Sequence, residues 1–251
     1  MNSILAVDMG NTSISFGLFR GKRIVKRMDI PSGQSAVSLR KALRKACGRF
    51  KTARGVVVCS VVPRILKIAE PLLRKQFGEI QVAGKNLEIP ISNRYRNPRQ
   101  VGQDRLVGAY AAAHLYRTPC IIIDLGTAIT LDVVSGKKEY LGGIIAPGIK
   151  LSADTLFQKA ALLPRVVIKK PRHLIGKDTE TSILSGIFYG YGEMLKGLVE
   201  MTVRKTGGNP YVIITGGFTD LMRRYIRSRI DKVDRDLVLK GLRLLYLDKA
   251  V

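Results

Sequence analysis

The sequence contains few of the residues that build metal centres and disulfide frameworks. It has two histidines, His114 and His173, and three cysteines, Cys47, Cys59 and Cys120. So small a set of nitrogen and sulfur ligands argues against a zinc site. The odd number of cysteines, two of them within apolar strand-like runs, is typical of buried thiols in a reducing cytoplasm.

Long apolar segments are also missing. No apolar run is long enough to cross a bilayer, and no basic region precedes an apolar one at the N-terminus, as a signal peptide requires. We therefore expect a cytoplasmic protein that does not bind a membrane. The 251 residues, 46% of them hydrophobic, are enough for one large domain or two lobes with a sizeable core.

Acidic residues are scarce. The chain has 19 Asp and Glu against 43 Lys and Arg, which gives a formal net charge of +24. Residues 20–54 hold twelve cationic side chains and a single acid, Asp29. Such a field attracts nucleic acid, nucleotides or anionic membranes, and the alternative is a solvated basic surface. No zinc-finger spacing, RNP-type aromatic motif or basic zipper indicates a dedicated nucleic-acid module.

Residues 120–134 form the stretch around which the chain is organised. The first four are apolar and three of them are β-branched, which predicts a buried strand. Asp124 ends that strand, Gly126 allows a tight turn beside Thr127, and a second strand-like run follows. A turn of small residues can present N–H groups to a phosphate, whereas its carboxylate implies a nearby cation.

Residues 4–18 repeat this pattern. Asp8 aligns with Asp124 and Gly10 aligns with Gly126, each after an apolar strand and before a second one. One Asp-x-Gly turn means little, because many strands that bind nothing end in such a turn. Two in matched settings indicate a duplicated lobe, with two acidic turns facing one cleft.

The order of the predicted elements is alike in the two halves. Three strand-like segments open each half, and helices and short strands follow. This order predicts an α/β protein of two ribonuclease-H-like lobes, 1–117 and 118–251, around a nucleotide cleft. It looks like the ATP-binding fold that sugar kinases, actin and the heat-shock chaperone ATPases share, with Gly216-Gly217 after a late strand placed for adenine.

Three local predictions concern helices. Pro71 is expected to kink or split a helix over residues 64–77. Residues 219–228 are predicted to be helical, and residues 237–247 are predicted to form a helix that closes the second lobe.

Glycine is dense in the helix predicted over residues 180–205. Gly186, Gly190, Gly192 and Gly197 each cost about 1 kcal/mol relative to alanine in a helix interior. Four such costs indicate close packing against another helix, and a subunit interface is one place for it.

Residues 102–105 open an Ala-rich helix after a polar, aperiodic segment over 92–99. The helix dipole favours a carboxylate in the first turn, so a helix cap is one explanation of Asp104. Arg105 places a cation at the unfavourable end of the same helix. Such a charge is often held by an anionic ligand or a partner carboxylate.

Taken in order along the chain, these motifs resemble type III pantothenate kinases. Each motif is weak alone, but the ordered set spans nearly the whole sequence. The set consists of Asp8-Met9-Gly10-Asn11-Thr12, Tyr95-x-Asn97-Pro98, Gly102-x-Asp104-Arg105, Asp124-x-Gly126-Thr127-Ala128-x-Thr130, Gly142-Gly143-x-x-x-Pro147-Gly148 and Gly176-x-x-Thr179.

The resemblance implies an activity. An enzyme of this family transfers the γ-phosphate of ATP to the hydroxyl of pantothenate and gives 4'-phosphopantothenate, the first step of coenzyme A biosynthesis. The family further implies a cytoplasmic homodimer that uses Mg²⁺ and a monovalent cation, K⁺ or NH₄⁺.

The resemblance also implies roles for individual residues. Asp104 would be the general base, and Asp124 would ligate the monovalent cation. ATP would be held by Thr127 and by the first acidic turn, namely Asp8, Met9, Gly10, Asn11, Thr12, Ser13, Ile14 and Ser15, with Asp8 also a candidate Mg²⁺ ligand. Pantothenate would be bound by Tyr95, Gly102, Gln103, Asp104, Arg105 and Thr179.

Two other functions stay open at this point. Some proteins of the family resemble an accessory factor for virulence-gene transcription, so a basic nucleic-acid-binding accessory protein on the same fold is the alternative. Only the basic segment over 20–54 supports it. A kinase or phosphatase of this fold acting on another small alcohol is a third possibility.

Overall fold

Two five-stranded sheets with the same strand order form the framework of the protein. The computed structural model describes residues 3–249. The first sheet has the order β3-β2-β1-β4-β5. Its strands and their two helices are β1 (Ser3–Met9), β2 (Ser13–Arg20), β3 (Arg23–Pro31), α1 (Ala36–Arg49), β4 (Gly55–Ser60), α2 (Pro63–Phe77) and β5 (Gln81–Val82).

The second sheet repeats this arrangement with the order β8-β7-β6-β9-β10. Its elements are β6 (Cys120–Leu125), β7 (Ala128–Val134), β8 (Tyr140–Pro147), α4 (Ile149–Lys159), α5 (Thr179–Thr206), β9 (Tyr211–Thr215), α6 (Thr219–Met222) and β10 (Lys232–Val233). In each sheet the first three strands are antiparallel, and the fourth and fifth run parallel to the first. The predicted duplication and the ribonuclease-H-like fold class are therefore confirmed.

Two further helices, α3 (Gln103–Leu115) and α7 (Leu237–Asp248), belong to the first of two compact units. That unit comprises residues 3–115 and 236–249, and the second comprises Tyr116–Arg235. The division near residue 115 lies close to the predicted boundary at 117. The C-terminal residues differ from the prediction, because α7 packs on α3 and β1 of the first unit rather than on the second.

The helices depart from the sequence expectations in two places. Helix α2 runs unbroken through Pro71, so of the expected kink or split the split does not occur. The helix predicted over 219–228 is wrong, because α6 ends at Met222 and only a 3-10 turn, Arg227–Arg229, follows. The chain leaves the helix there and places Tyr225 against Gly192 of α5 and against the ring of Phe188.

Each unit has its own apolar core on its sheet. In the first, β1 and β4 supply buried aliphatic side chains that pack beneath α1 and α2. In the second, β6 and β9 do the same beneath α4 and α5. The near-continuous apolar runs of these central strands reflect burial on both faces. Among the residues described, no helix combines the length and hydropathy needed to span a bilayer.

Candidate active site

The first acidic turn is the β1–β2 hairpin. Asp8, half-buried at the end of β1, lies opposite Ser15. The Gly10 N–H donates to the Ser13 carbonyl at 2.9 Å, and the Ser32 N–H donates to the Thr12 carbonyl at 3.0 Å. The structure therefore brings all eight residues from Asp8 to Ser15 into one ordered hairpin, whose tip over 11–13 is exposed.

Asp104 lies in the first turn of α3, as the sequence predicted. The Arg105 N–H donates to Asp104 Oδ1 at 2.8 Å and also to the Gly102 carbonyl at 3.1 Å. A Cβ on residue 102 would lie 2.6 Å from Asp104 Oδ1. Glycine at 102 thus leaves room for the carboxylate, and the Arg105 amide fixes its orientation.

The buried thiol of Cys59 connects the two carboxylates of the first unit. Cys59 lies on β4 directly beside Asp8 in the parallel ladder. Burial raises the pKa of Cys59 well above its ordinary value, and the negative charges of Asp8 and Asp104 raise it further. Both carboxylates are therefore close enough to Cys59 to act on it electrostatically. Asp8 and Asp104, about a hundred residues apart in sequence, therefore both lie near this thiol in the first unit.

The other predicted pantothenate residues of the first unit lie at the start of α3 and in the loop before it. Gln103 packs against Gly84, where a Cβ would overlap with the Gln103 amide and where φ is +75°. Tyr95 is half-buried in the preceding loop, and its N–H donates to Asn93 Oδ1 at 3.0 Å. Sequence reasoning missed Gly84 and treated Cys59 only as a buried thiol. The position of Cys59 could have been predicted from the sequence. The apolar run over β4 favours a strand parallel to β1, and the carboxyl ends of parallel neighbours lie at the same edge of the sheet, so Cys59 would lie beside Asp8.

The second acidic turn, the β6–β7 hairpin, is one residue tighter than the first. Asp124 lies opposite Thr130, just as Asp8 lies opposite Ser15. The Gly126 N–H donates to the Ala128 carbonyl at 3.2 Å, which leaves the exposed Thr127 at the tip. The two hairpins are equivalent in topology, and each has its carboxylate at the end of the first strand.

Two glycines close around this second hairpin. Gly216 follows β9 with φ +92°, and a Cβ there would overlap with Asp124 Oδ1. Gly148 precedes α4, and its N–H donates to the Thr127 carbonyl at 3.1 Å. A Cβ on Gly148 would overlap with that carbonyl oxygen. Gly148 and Gly216 therefore both lie against the Asp124 hairpin, where no larger residue fits.

Asp124 offers oxygen ligands for a cation. Its carboxylate and the carbonyl oxygens of the hairpin are hard ligands, which suit hard cations better than soft ones. Within the described residues, no three His, Cys, Asp or Glu side chains cluster as a metal site.

Thr179 is the first residue of α5, and it is exposed. Asp178 caps the helix by accepting from the Thr181 N–H at 2.8 Å, and this hydrogen bond lowers the pKa of Asp178. Gly176 lies against Ser182, where a side chain would overlap with the helix backbone. Thr179 also borders a largely apolar pocket of about 400 Å³ beside Ile183, Ile187 and Tyr191.

Known proteins resemble this chain over nearly its whole length. The family model of type III pantothenate kinase matches residues 4–201. A type III pantothenate kinase from Syntrophotalea carbinolica is 39% identical, over 97% of this chain and 98% of that protein. Another from Moorella thermoacetica is 38% identical over the same shares of the two proteins. These findings give no support to the nucleic-acid-binding alternative.

Solved structures share the fold at low sequence identity. The ethanolamine utilization protein EutJ from Carboxydothermus hydrogenoformans has a TM-score of 0.59 at 12% identity, covering 98% of this chain and 90% of its own. Component A of the (R)-2-hydroxyglutaryl-CoA dehydratase from Acidaminococcus fermentans has a TM-score of 0.54 at 13% identity, covering 100% and 99%. At such identities the likeness concerns the fold alone.

Proposed function

Since the chain belongs to the type III pantothenate kinase family, we propose that it transfers the γ-phosphoryl group of ATP to the hydroxyl of pantothenate, giving 4'-phosphopantothenate and ADP. The observation that carries this proposal is the family match over most of the chain, and it is supported by the closeness of both Asp8 and Asp104 to Cys59. The reaction is the first step of coenzyme A biosynthesis.

Asp104 acts as the general base in this proposal. A transferring phosphoryl group needs positioning and charge neutralisation more than covalent help. The base therefore has only to accept the hydroxyl proton while the phosphorus–oxygen bond forms. The Arg105 amide, 2.8 Å from Asp104 Oδ1, holds the carboxylate in one orientation. The positive end of the α3 dipole lies at this carboxylate and attracts negative charge.

Each hairpin supplies residues that we propose as ATP contacts. Within the hairpin from Asp8 to Ser15, the exposed tip over residues 11–13 offers short polar side chains, which suit phosphate oxygens. Thr127 offers a hydroxyl at the tip of the second hairpin. Arg105 supplies a guanidinium fork that matches an anionic group of the substrate.

Asp8 and Asp124 are the proposed cation ligands. Mg²⁺ is commonly held by one or two carboxylates together with substrate phosphates, so the single carboxylate of Asp8 is sufficient on the protein side. Bound there, Mg²⁺ would neutralise phosphate charge. Asp124, whose carboxylate lies beside Gly216, would hold K⁺ or NH₄⁺.

Pantothenate would be bound by Tyr95, Gly102, Gln103, Asp104, Arg105 and Thr179. The packing of Gln103 on Gly84 supports this role, because it fixes the start of α3. We place the reaction in the cytoplasm, and the three buried cysteines, all free thiols, accord with a reducing compartment.

A homodimer is the proposed assembly. Gly186, Gly190 and Gly197 lie on one face of α5, and a Cβ on any of them would meet nothing within 4 Å. Packing inside the chain therefore does not explain these glycines, whereas close approach of a second copy would. The exposed side chain of Met201 continues the same face.

A coupled assay of ADP production tests the proposed reaction. We expect ADP to form with pantothenate, faster in K⁺ than in Na⁺ buffer, and Asp124→Asn to remove the difference between the two buffers. ADP formation with another small alcohol but not with pantothenate would contradict the proposed substrate.

A further inference from the structure

A second pocket lies in the first unit, away from the Asp8 hairpin. Its volume is about 520 Å³, and it is lined by Leu18, Arg20, Val25, Lys26, Gly48, Arg49, Lys51 and Thr52. Strand β2 runs from Ser13, beside the Asp8 hairpin, to Arg20 at this pocket. At about 3.4 Å per residue, Leu18 and Arg20 lie roughly 17–24 Å along the strand from Ser13. The pocket is thus separate from the candidate active site.

Four cationic side chains and no acid line this pocket. Throughout residues 3–249, no carboxylate lies within 4 Å of the charged groups of Arg20, Lys26, Arg49 or Lys51. The Lys26 ammonium is held in place, because it donates to the Arg49 carbonyl at 2.8 Å and lies 5.6 Å from the centroid of the Phe50 ring. The pocket therefore concentrates positive charge that the described chain does not neutralise.

Helix α1 strengthens the same field. Arg40, Lys41, Arg44 and Lys45 are exposed on it, and the helix contains no acid. Like charges four residues apart, as in Arg40 with Arg44 and Lys41 with Lys45, destabilise a helix by roughly 0.2–0.5 kcal/mol per pair. A multiply charged anion beside the helix would relieve this repulsion.

Gly48 lies in the last turn of α1 and borders the pocket. A Cβ there would meet nothing within 4 Å, and the backbone is not in the left-handed region. Neither packing nor conformation explains this glycine, although it costs about 1 kcal/mol relative to alanine within a helix. At this position the pocket wall carries no side chain.

We propose that this pocket binds the di- or triphosphate group of a soluble ligand. Arginine forks match phosphate oxygens in pairs, and four cations suit several phosphate charges better than one. Leu18 and Val25 provide an apolar wall for an uncharged part of the ligand. The volume is that of a small-molecule site, and a concave pocket favours a small ligand over a nucleic-acid backbone.

Titration calorimetry with tripolyphosphate tests this site. The variant carrying Arg49→Ala and Lys51→Ala removes two pocket cations. Its control, with Arg44→Ala and Lys45→Ala, removes the same residue types from α1 outside the pocket lining. We expect the pocket variant to bind at least tenfold more weakly or to lose one binding site. The control cations act on the pocket only from outside its lining, where salt screens exposed charges, so we expect the control to stay within about twofold of the wild type.

A third variant, Gly48→Ala, probes the shape of the pocket without changing its charge. We expect an unchanged or higher melting temperature and weaker tripolyphosphate binding. Equal weakening in both double variants would reduce the effect to net charge and overturn the proposal. Tripolyphosphate binding by Gly48→Ala as tight as that of the wild type would also overturn the proposal. Binding of a single-stranded oligonucleotide without binding of tripolyphosphate would instead identify a nucleic-acid surface.

Discussion

At the scale of single residues, the position of Asp104 has the clearest consequence. It starts a helix, its carboxylate is oriented by the next amide, and Gly102 gives it space. A helix cap needs only the carboxylate oxygen that accepts a hydrogen bond, whereas a general base needs a group that takes up a proton. Substituting an amide for the carboxylate separates these two roles.

We expect Asp104→Asn to retain binding of ATP and pantothenate and to lose turnover by about 10²–10⁴-fold, the usual contribution of a general base. An amide keeps the hydrogen-bonding oxygen but cannot accept the proton. Steady-state kinetics and calorimetry measure the two effects. Asp29→Asn, an exposed carboxylate paired with Arg27 in the same unit, serves as the control. Wild-type turnover by Asp104→Asn would remove Asp104 from the catalytic role.

The buried thiols predict how stability depends on pH. Burial raises the pKa of Cys120 to about 12 and raises the pKa of Cys59 as well. Unfolded cysteines ionise near pH 8.5, at about their ordinary pKa. The unfolded state then binds fewer protons than the folded one, so stability falls as the pH rises above that value.

We therefore expect the free energy of unfolding to fall between about pH 9 and 12, and to fall less steeply in Cys120→Ala. Urea denaturation at a series of pH values measures both slopes. Parallel curves for the wild type and the variant would show that Cys120 ionises alike in the folded and unfolded chains.

At the scale of elements, the contact of α7 with α3 joins the C-terminal helix to the first unit. Gly241 makes this approach possible, because a Cβ there would lie 2.6 Å from the Val107 carbonyl and 2.8 Å from Val107 Cγ1. Gly108 lies on the facing helix, and the nearest atom to a Cβ there is Val238 Cγ2 at 4.0 Å. Packing therefore requires glycine at position 241, whereas position 108 has room for a methyl group.

Gly241→Ala and Gly108→Ala form a matched pair. We expect the first to destabilise the protein by about 1–3 kcal/mol, as overpacking of a core does. The second should be neutral or stabilise by up to about 1 kcal/mol, through helix propensity. Thermal or urea denaturation measures both. A loss of stability at position 108 equal to that at 241 would contradict the packing described.

At the scale of the whole molecule, the open glycine face of α5 supports the proposed homodimer. We expect Gly190→Arg to shift the protein from dimer to monomer in sedimentation velocity experiments, because a long charged side chain would prevent a close approach of two α5 helices. Gly33→Arg places the same side chain on an exposed loop of the first unit and should leave the dimer intact. A monomeric wild-type protein would contradict the proposal directly.

The positive charge is unevenly shared between the two units. Residues 1–115 and 236–251 hold 24 of the 43 Lys and Arg and 8 of the 19 Asp and Glu. Phosphoryl transfer does not require this excess. The phosphate pocket proposed beside α1 gives part of it a specific use.

The sequence alone determined the duplicated architecture and most of the candidate site. The two Asp-x-Gly turns predicted hairpins for a local reason. An apolar β-branched run favours a strand, and Asp and Gly at its end favour a tight turn that reverses the chain. Asp104 could be placed at a helix start for the same local reason. The ordered motifs then predicted the family, which the comparisons confirmed.

Only the tertiary structure decided which distant residues meet. The apolar face of the last helix could be buried against either unit. Its contact with α3 depends on the close approach that Gly241 allows to Val107. The closeness of Cys59 to both Asp8 and Asp104, and the gathering of Arg20, Arg49 and Lys51 around one pocket, follow from strand pairing and helix docking. Such contacts join residues far apart in sequence, and local propensity and periodicity carry no information about them.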